Sequence, residues 1–226
     1  MKKLLILLSV LLSLLFVSIV NASDPFTTTY YSSEEFDKNL TNCSTWAVVG
    51  GNTPICSISP GHPGIAYINT GAVADAQTTF RQTALTFSTT DSYVINFVFQ
   101  LLSNDSNTTV RLGASFNPDI PQPFNGAYIE KLATDTQYFC VARTFGVQTR
   151  VAMSVIPNTS YHRFTIRNIN STTIACKIDS NPEIQVSSNV HNGLETNFIH
   201  IIASNGGTNK VGAVDFADLL VSNLNR

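Results

Sequence analysis

Charge is scarce in this 226-residue chain: Asp, Glu, Lys and Arg together make up 12% of it, and there are only four His, two Met and one Trp. A basic surface for nucleic acid or for anionic lipid has nothing to be built from, so neither partner is expected. Catalytic grammars are missing too. There is no Gly-x-Ser-x-Gly nucleophile elbow, no His-Glu-x-x-His metal helix and no glycine-rich phosphate loop. No stretch of ten residues keeps the 3.6-residue period of an amphipathic helix, and no internal repeat or linker interrupts the chain. After the first apolar run, no second one is long enough to cross a bilayer.

That first run opens the chain. Lys2-Lys3, the apolar residues Leu4 to Val20 and the small residues of Val20-Asn-Ala22 predict a secretory signal over residues 1–22, cut after Ala22. An uncleaved anchor is the alternative, because the run approaches spanning length. Cleavage removes two lysines and leaves 11 basic against 15 acidic side chains, about −4. The remainder, 23–226, reads as one domain, large enough to bury its own core without a metal. It is expected outside the cell, or on a cell or virion surface, with no membrane insertion after cleavage.

Four cysteines suit that route. Three pairings are open; Cys43–Cys56 and Cys140–Cys176 are favoured. Cys43 and Cys56 flank the Gly50-Gly51 turn, whereas Cys140 alternates with Tyr138 and Ala142, and Cys176 with Ile174 and Ile178, so both of these point inward. A zinc site needs closer cysteine spacing than any pair here offers, and exported chains oxidise their cysteines. No metal and no cofactor is predicted. The sequons at Asn39, Asn42, Asn104, Asn107, Asn158 and Asn170 are candidate N-glycan acceptors, the last four in predicted turns.

What the chain has in abundance is short alternating runs. Gly126–Leu132, Tyr138–Phe145, Arg150–Val155, His162–Arg167 and Thr173–Ile178 repeat strand, polar turn, strand, the period-2 signature of an antiparallel meander. Ser92–Leu102 is longer: Tyr93, Ile95, Phe97, Phe99 and Leu101 share one face and are predicted core, while Val94, Asn96, Val98, Gln100 and Leu102 share a mixed face. Further strands are expected at Trp46–Val49, Ile65–Asn69, Thr83–Ser88, Val110–Phe116, Glu183–Val186, Asn197–Ala203 and Val211–Ala217. The mixed faces call for two stacked sheets, an all-β antiparallel sandwich. Trp46 suits a core or sheet-edge filler better than a sugar platform. His62, between Pro and Gly, fixes a loop or touches a ligand, and it has no carboxylate partner for acid–base chemistry.

Gly61-His-Pro-Gly64, Asn69-Thr-Gly71, Asn125-Gly-Ala-Tyr-Ile-Glu130, Phe139-Cys-Val-Ala-Arg143, Tyr161-His-Arg-Phe-Thr-Ile-Arg167, Ile178-Asp179 and Val214-Asp-Phe216, in that order, resemble the concanavalin A-like lectin/glucanase jelly-roll modules of phage tail-associated, virion and other secreted proteins. The resemblance implies a jelly roll whose concave sheet face holds a glycan, with Trp46, His62, Asn125, Tyr128 and Arg143 as candidate ligand contacts. It does not imply catalysis. Retaining glucanases of this fold carry Glu-x-Asp-x-x-Glu on one strand so that two carboxylates flank the scissile bond; here Glu130 stands alone, and Glu34-Glu35 and Asp215/Asp218 diverge. A non-enzymatic lectin-like module is therefore expected. A structural or attachment protein without a sugar site is the alternative, and a hydrolase or lyase using Glu130 with His200 or Tyr128 a third.

Overall fold

The computed structural model describes residues 26–35, 46–50, 57–58, 66–82, 87–88, 92–116 and 125–224. The predicted leader, His62, Cys43, Cys56, Asn39 and Asn42 lie outside these residues. Sixteen strands follow in chain order: β1 (Phe26–Glu35), β2 (Trp46–Gly50), β3 (Ser57–Ile58), β4 (Ala66–Asn69), β5 (Gln77–Gln82), β6 (Phe87–Ser88), β7 (Ser92–Leu101), β8 (Thr108–Ser115), β9 (Gly126–Lys131), β10 (Phe139–Thr144), β11 (Val147–Ala152), β12 (Tyr161–Asn170), β13 (Thr173–Ile178), β14 (Ile184–Val186), β15 (Leu194–Ala203) and β16 (Val211–Leu224).

They form two eight-stranded antiparallel sheets. The first runs β14-β13-β12-β7-β16-β4-β3, with β1 also on β16; the second runs β11-β10-β9-β8-β15-β5-β2, with β6 also on β15. Alternation decides what lies between them. Tyr93, Ile95, Phe97, Phe99 and Leu101 are all buried, and across from this sheet Phe80, Val110, Leu112, Ile129, Ile199 and Ile201 are fully enclosed. Phe164 joins the layers edge-on, 6.2 Å from Phe99 and 5.3 Å from Tyr138 between ring centroids. Each such side chain contributes about 1.5–3 kcal/mol by leaving water, so the all-β sandwich rests on this shared interior.

The predicted single meander is corrected. β9, β10 and β11 belong to the second sheet, and the chain then crosses to place β12, β13 and β14 in the first. Met153 and Val155, buried within the crossing, tie it down: Met153 N donates to Tyr138 O at 2.8 Å, and Tyr138 N donates to Val155 O at 3.1 Å. A period of two tells which face is buried but not which sheet it belongs to. The Cys140–Cys176 disulfide forms as expected, but between β10 of one sheet and β13 of the other, with Cα atoms 5.6 Å apart. β5 was unforeseen: Gln-Thr-Thr-Phe-Arg-Gln has one apolar residue, Phe80, and Thr78 and Thr79 are buried beside it.

Candidate functional site

Because Val110, Leu112 and Ala114 of β8 enter the core, Arg111, Gly113 and Ser115 face outward from the second sheet. The strand registers then lay out three rows across that face. The first row is Phe139, Glu130, Arg111, His200 and Thr79. The second is Arg150, Val141, Tyr128, Gly113, Phe198 and Arg81. The third is Gln148, Arg143, Gly126, Ser115 and Thr196.

The first row is a buried charge network. Glu130 accepts from Arg111 Nε at 2.6 Å and from Arg150 Nε at 2.8 Å, and Arg150 also donates through Nη2 to Asp135 while its guanidinium lies 3.8 Å over the Phe139 ring. His200 is fully enclosed, and burial, followed by the charge of Arg111, pushes its pKa down to about 3, so it is neutral. Two carboxylates thus grip one guanidinium.

The second row is apolar. Tyr128, Val141 and Phe198 pack together at 0% exposure, the two rings edge-on at 6.2 Å. Gly113 admits them, because a Cβ there would stand 2.3 Å from Ala127 O and 2.6 Å from Tyr128 Cα. Tyr128 therefore presents no ring face to solvent, which corrects the expectation of an open stacking platform. Burial raises the pKa of its hydroxyl, as does the charge of Glu130, and Arg111 and Arg143 offset part of the rise.

The third row opens at the end of the sheet, and there the structure brings two predicted residues together. Arg143, half-buried, pairs in register with Gly126 and donates to Gln148 Oε1 at 3.2 Å. Asn125 is anchored by its own carbonyl, which accepts from Ser115 Oγ at 2.7 Å, and its Oδ1 accepts from Phe145 N at 2.6 Å. Phe145 and Gly146 make a two-residue hairpin, both with left-handed φ, 47° and 79°, as the twist-matched turn requires. Phe145 is 75% exposed and its neighbour Val147 60%. A bulky residue in the left-handed region costs about 1–2 kcal/mol, and here it also holds an aromatic ring in water. Sequence reasoning placed Phe145 at the end of a strand; the X-Gly pair between two alternating runs is the signal that could have marked it as a tip. Trp46 sits on β2, at the opposite edge of the same sheet, so it does not join Arg143 and Asn125.

At the other end of the sandwich, the 104–106 and 133–136 turns with Ile156 and Pro157 frame a cleft of about 360 Å³. Among the sequons, Asn158 and Asn170 are exposed, each accepting through Oδ1 from the backbone N two residues on. Asn104 spends its side-chain amide on Pro157 O at 2.7 Å, and Asn107 is half-buried.

Two stacked antiparallel sheets with this strand order define a concanavalin A-like jelly roll. Solved structures with the same fold include the endo-1,3-β-glucanase (laminarinase) catalytic domain of Thermotoga petrophila, TM-score 0.62 at 14% identity over 86% of this chain and 98% of that one. The carbohydrate recognition domain of Emp47p superposes with TM-score 0.60 at 9% identity, covering 86% and 96%. The Bacillus licheniformis β-glucanase gives 0.58 at 14%, covering 84% and 98%. No family description and no curated protein matches the sequence itself. At these identities the likeness is one of fold.

Proposed function

We propose that the chain is a non-enzymatic, extracellular carbohydrate-binding module whose sugar site is the open end of the second sheet's outer face, formed by Phe145, Arg143, Gln148 and Asn125. One observation carries this: Phe145 is held 75% exposed in a strained left-handed conformation, and the buried Asn125 side chain is what holds it. Strain of that kind persists where surroundings enforce it, most often at ligand contacts, and an exposed ring flanked by guanidinium and amide groups suits the apolar face and hydroxyls of a pyranose. The interlayer Cys140–Cys176 bond suits an oxidising compartment. The non-enzymatic part of the reading is supported by the pairing of Glu130 and Asp135 with Arg150.

A glycan array with the mature chain tests the proposal. Binding is expected, with Phe145→Ala weakening it tenfold or more, about 1.4 kcal/mol, and no reducing or unsaturated ends released from any bound polysaccharide. Absence of binding at high concentration, or full binding by Phe145→Ala, would sink it. A structural or attachment role without a sugar site is the second reading, favoured by one observation: Tyr128, Val141 and Phe198, which would line a wider groove, are fully enclosed.

A further inference from the structure

The space between the sheets is apolar along most of its length and polar at one end. On β15, Ile199 and Ile201 enter the core, so Asn197 and Glu195, which continue their alternation, point inward as well. On β5, Gln82 shares the inward side of Phe80. Phe198 pairs with Arg81, and one step along this antiparallel register Asn197 stands opposite Gln82. Glu195, Asn197 and Gln82 are 1%, 1% and 2% exposed. Tyr93 approaches from the first sheet: burial, then the charge of Glu195, holds its hydroxyl pKa well above the ordinary value. His191, between β14 and β15, brings its Nδ1 within 2.8 Å of Glu195 Oε1.

Three buried oxygens at this end accept no hydrogen bond: Glu195 Oε2, Asn197 Oδ1 and Gln82 Oε1. Buried polar atoms are matched as a rule, and an unmatched one calls for a ligand or a water. Here every unmatched atom is an acceptor, and one belongs to a carboxylate. Oxygen sets of that kind suit hard cations, whereas a donor such as an amide N–H would be needed to hold an anion. Along the row that continues from Asn197 the inward residues are Ala114, Ala127 and Ala142, strand by strand, so no bulky side chain stands beside the amide on that side.

We infer that this end of the interior binds one monovalent alkali cation, sodium or potassium, through Glu195 Oε2, Asn197 Oδ1 and Gln82 Oε1. Charge sets the valence. One carboxylate and one monovalent ion leave the enclosed site neutral, whereas a divalent ion would bury an uncompensated positive charge, and calcium takes about 6–8 oxygens. A proton is the ion's competitor: burial raises the Glu195 pKa, and His191 lowers it only in part. A protonated Oε2 can donate to one of the two amide oxygens and leaves the other unmatched, while a cation meets all three. Because the ligands come from β5 and β15, the ion joins two strands of the second sheet on their inner side, and the inference does not depend on the carbohydrate reading of the outer face.

Thermal melts of the mature chain test this in NaCl, KCl and choline chloride at equal ionic strength, so that screening is the same in all three; choline is too large to be enclosed. A ligand of the folded state raises the midpoint by mass action. Expected is a midpoint about 2–4 °C higher in NaCl or KCl than in choline chloride, growing with the logarithm of the alkali-ion concentration. The readout is the difference between salts, so it holds for variants whose own stability has changed. Glu195→Gln should abolish the difference, and Gln82→Met, which keeps the side chain's length and removes one oxygen, should reduce it. Glu183→Gln, in the exposed pair of the first sheet, should leave it intact. Equal midpoints in the three salts would overturn the inference, as would a difference that survives in both Glu195→Gln and Gln82→Met. A rise produced by millimolar CaCl2 and by neither alkali ion would overturn the assignment to a monovalent ion.

Discussion

The two outer faces of the sandwich are built from the same alternation and end in opposite conditions. On the first sheet, Thr165 Oγ1 donates to Asn96 Oδ1 at 2.8 Å, and the Arg167–Glu183 pair keeps 42% and 27% of its side chains in water. On the second, the Arg111–Glu130 pair is 3% and 2% exposed, beside a fully enclosed His200 and the Tyr128–Phe198 contact. Both faces carry an Arg–Glu pair, Arg111 and Glu130 on the adjacent strands β8 and β9, Arg167 on β12 with Glu183 just before β14. What differs is the solvent, and in a low dielectric an ion pair becomes obligatory, since either partner left alone is an uncompensated buried charge.

Removing the carboxylate is the strongest way to test that difference. Glu130→Ala takes the carboxylate from the buried Arg111 and one of two anchors from Arg150, so a loss of about 3–5 kcal/mol is expected. Glu183→Ala removes the carboxylate whose bonds hold Arg167 above its ordinary pKa, yet the exposure of the pair limits the loss to about 1 kcal/mol or less. Urea midpoints of the two variants read the contrast directly; similar losses would mean that the second face is as wet as the first.

Acid sharpens the contrast at a smaller scale. His200 has its folded pKa depressed to about 3 against an ordinary 6.5. The unfolded chain therefore binds a proton that the folded one refuses, and stability is full above about pH 6.5 and falls as pH drops toward 3, by up to about 1.4 kcal/mol per unit. Glu195 works against this: burial raises its pKa, and His191 lowers it only in part, so its contribution favours the folded state below its ordinary 4.5 and weakens as pH rises through that value. His200→Gln should flatten the stability profile between pH 6.5 and 4.5 relative to the parent chain, measured by thermal melts.

The contrast also explains how far the sequence could be read. Ser92–Leu101 announced both its buried face and its mixed one because Tyr93, Ile95, Phe97, Phe99 and Leu101 alternate without error. Cys140 and Cys176 declared their inward direction the same way. The division of Gly126–Ile178 between two sheets was illegible, since a crossing and a tight turn both read as polar residues between runs. Asn125 and Arg143 were found through motif resemblance, and the hairpin does bring them together. Tyr128 was named through the same resemblance, which implied an outward, open ring. Outward it is, but the smallness of Gly113 on β8 and the approach of Phe198 on β15 bury it.

The smallest effect separates a ring kept for packing from one kept for contact. Phe145 occupies the first position of a Phe-Gly hairpin, where φ is 47° and where Asn is the favoured residue. Phe145→Asn keeps the Gly146 that the turn needs and retains the backbone N–H that donates to Asn125. Relief of left-handed strain should then stabilise the chain by about 1 kcal/mol, a rise in Tm of about 2–4 °C for a domain of this size. The quarter of Phe145 that is out of water gives back part of that gain. Tyr161→Asn, on the first face at 39% exposure and in an extended strand, offers the opposite case: Asn is a poorer strand residue, so stability should fall by several tenths of a kcal/mol. A Phe145→Asn variant that melts higher while losing glycan retention identifies the ring as a contact maintained against stability; one that melts lower shows the ring packing for the fold, and the proposed sugar site loses the observation on which it stands.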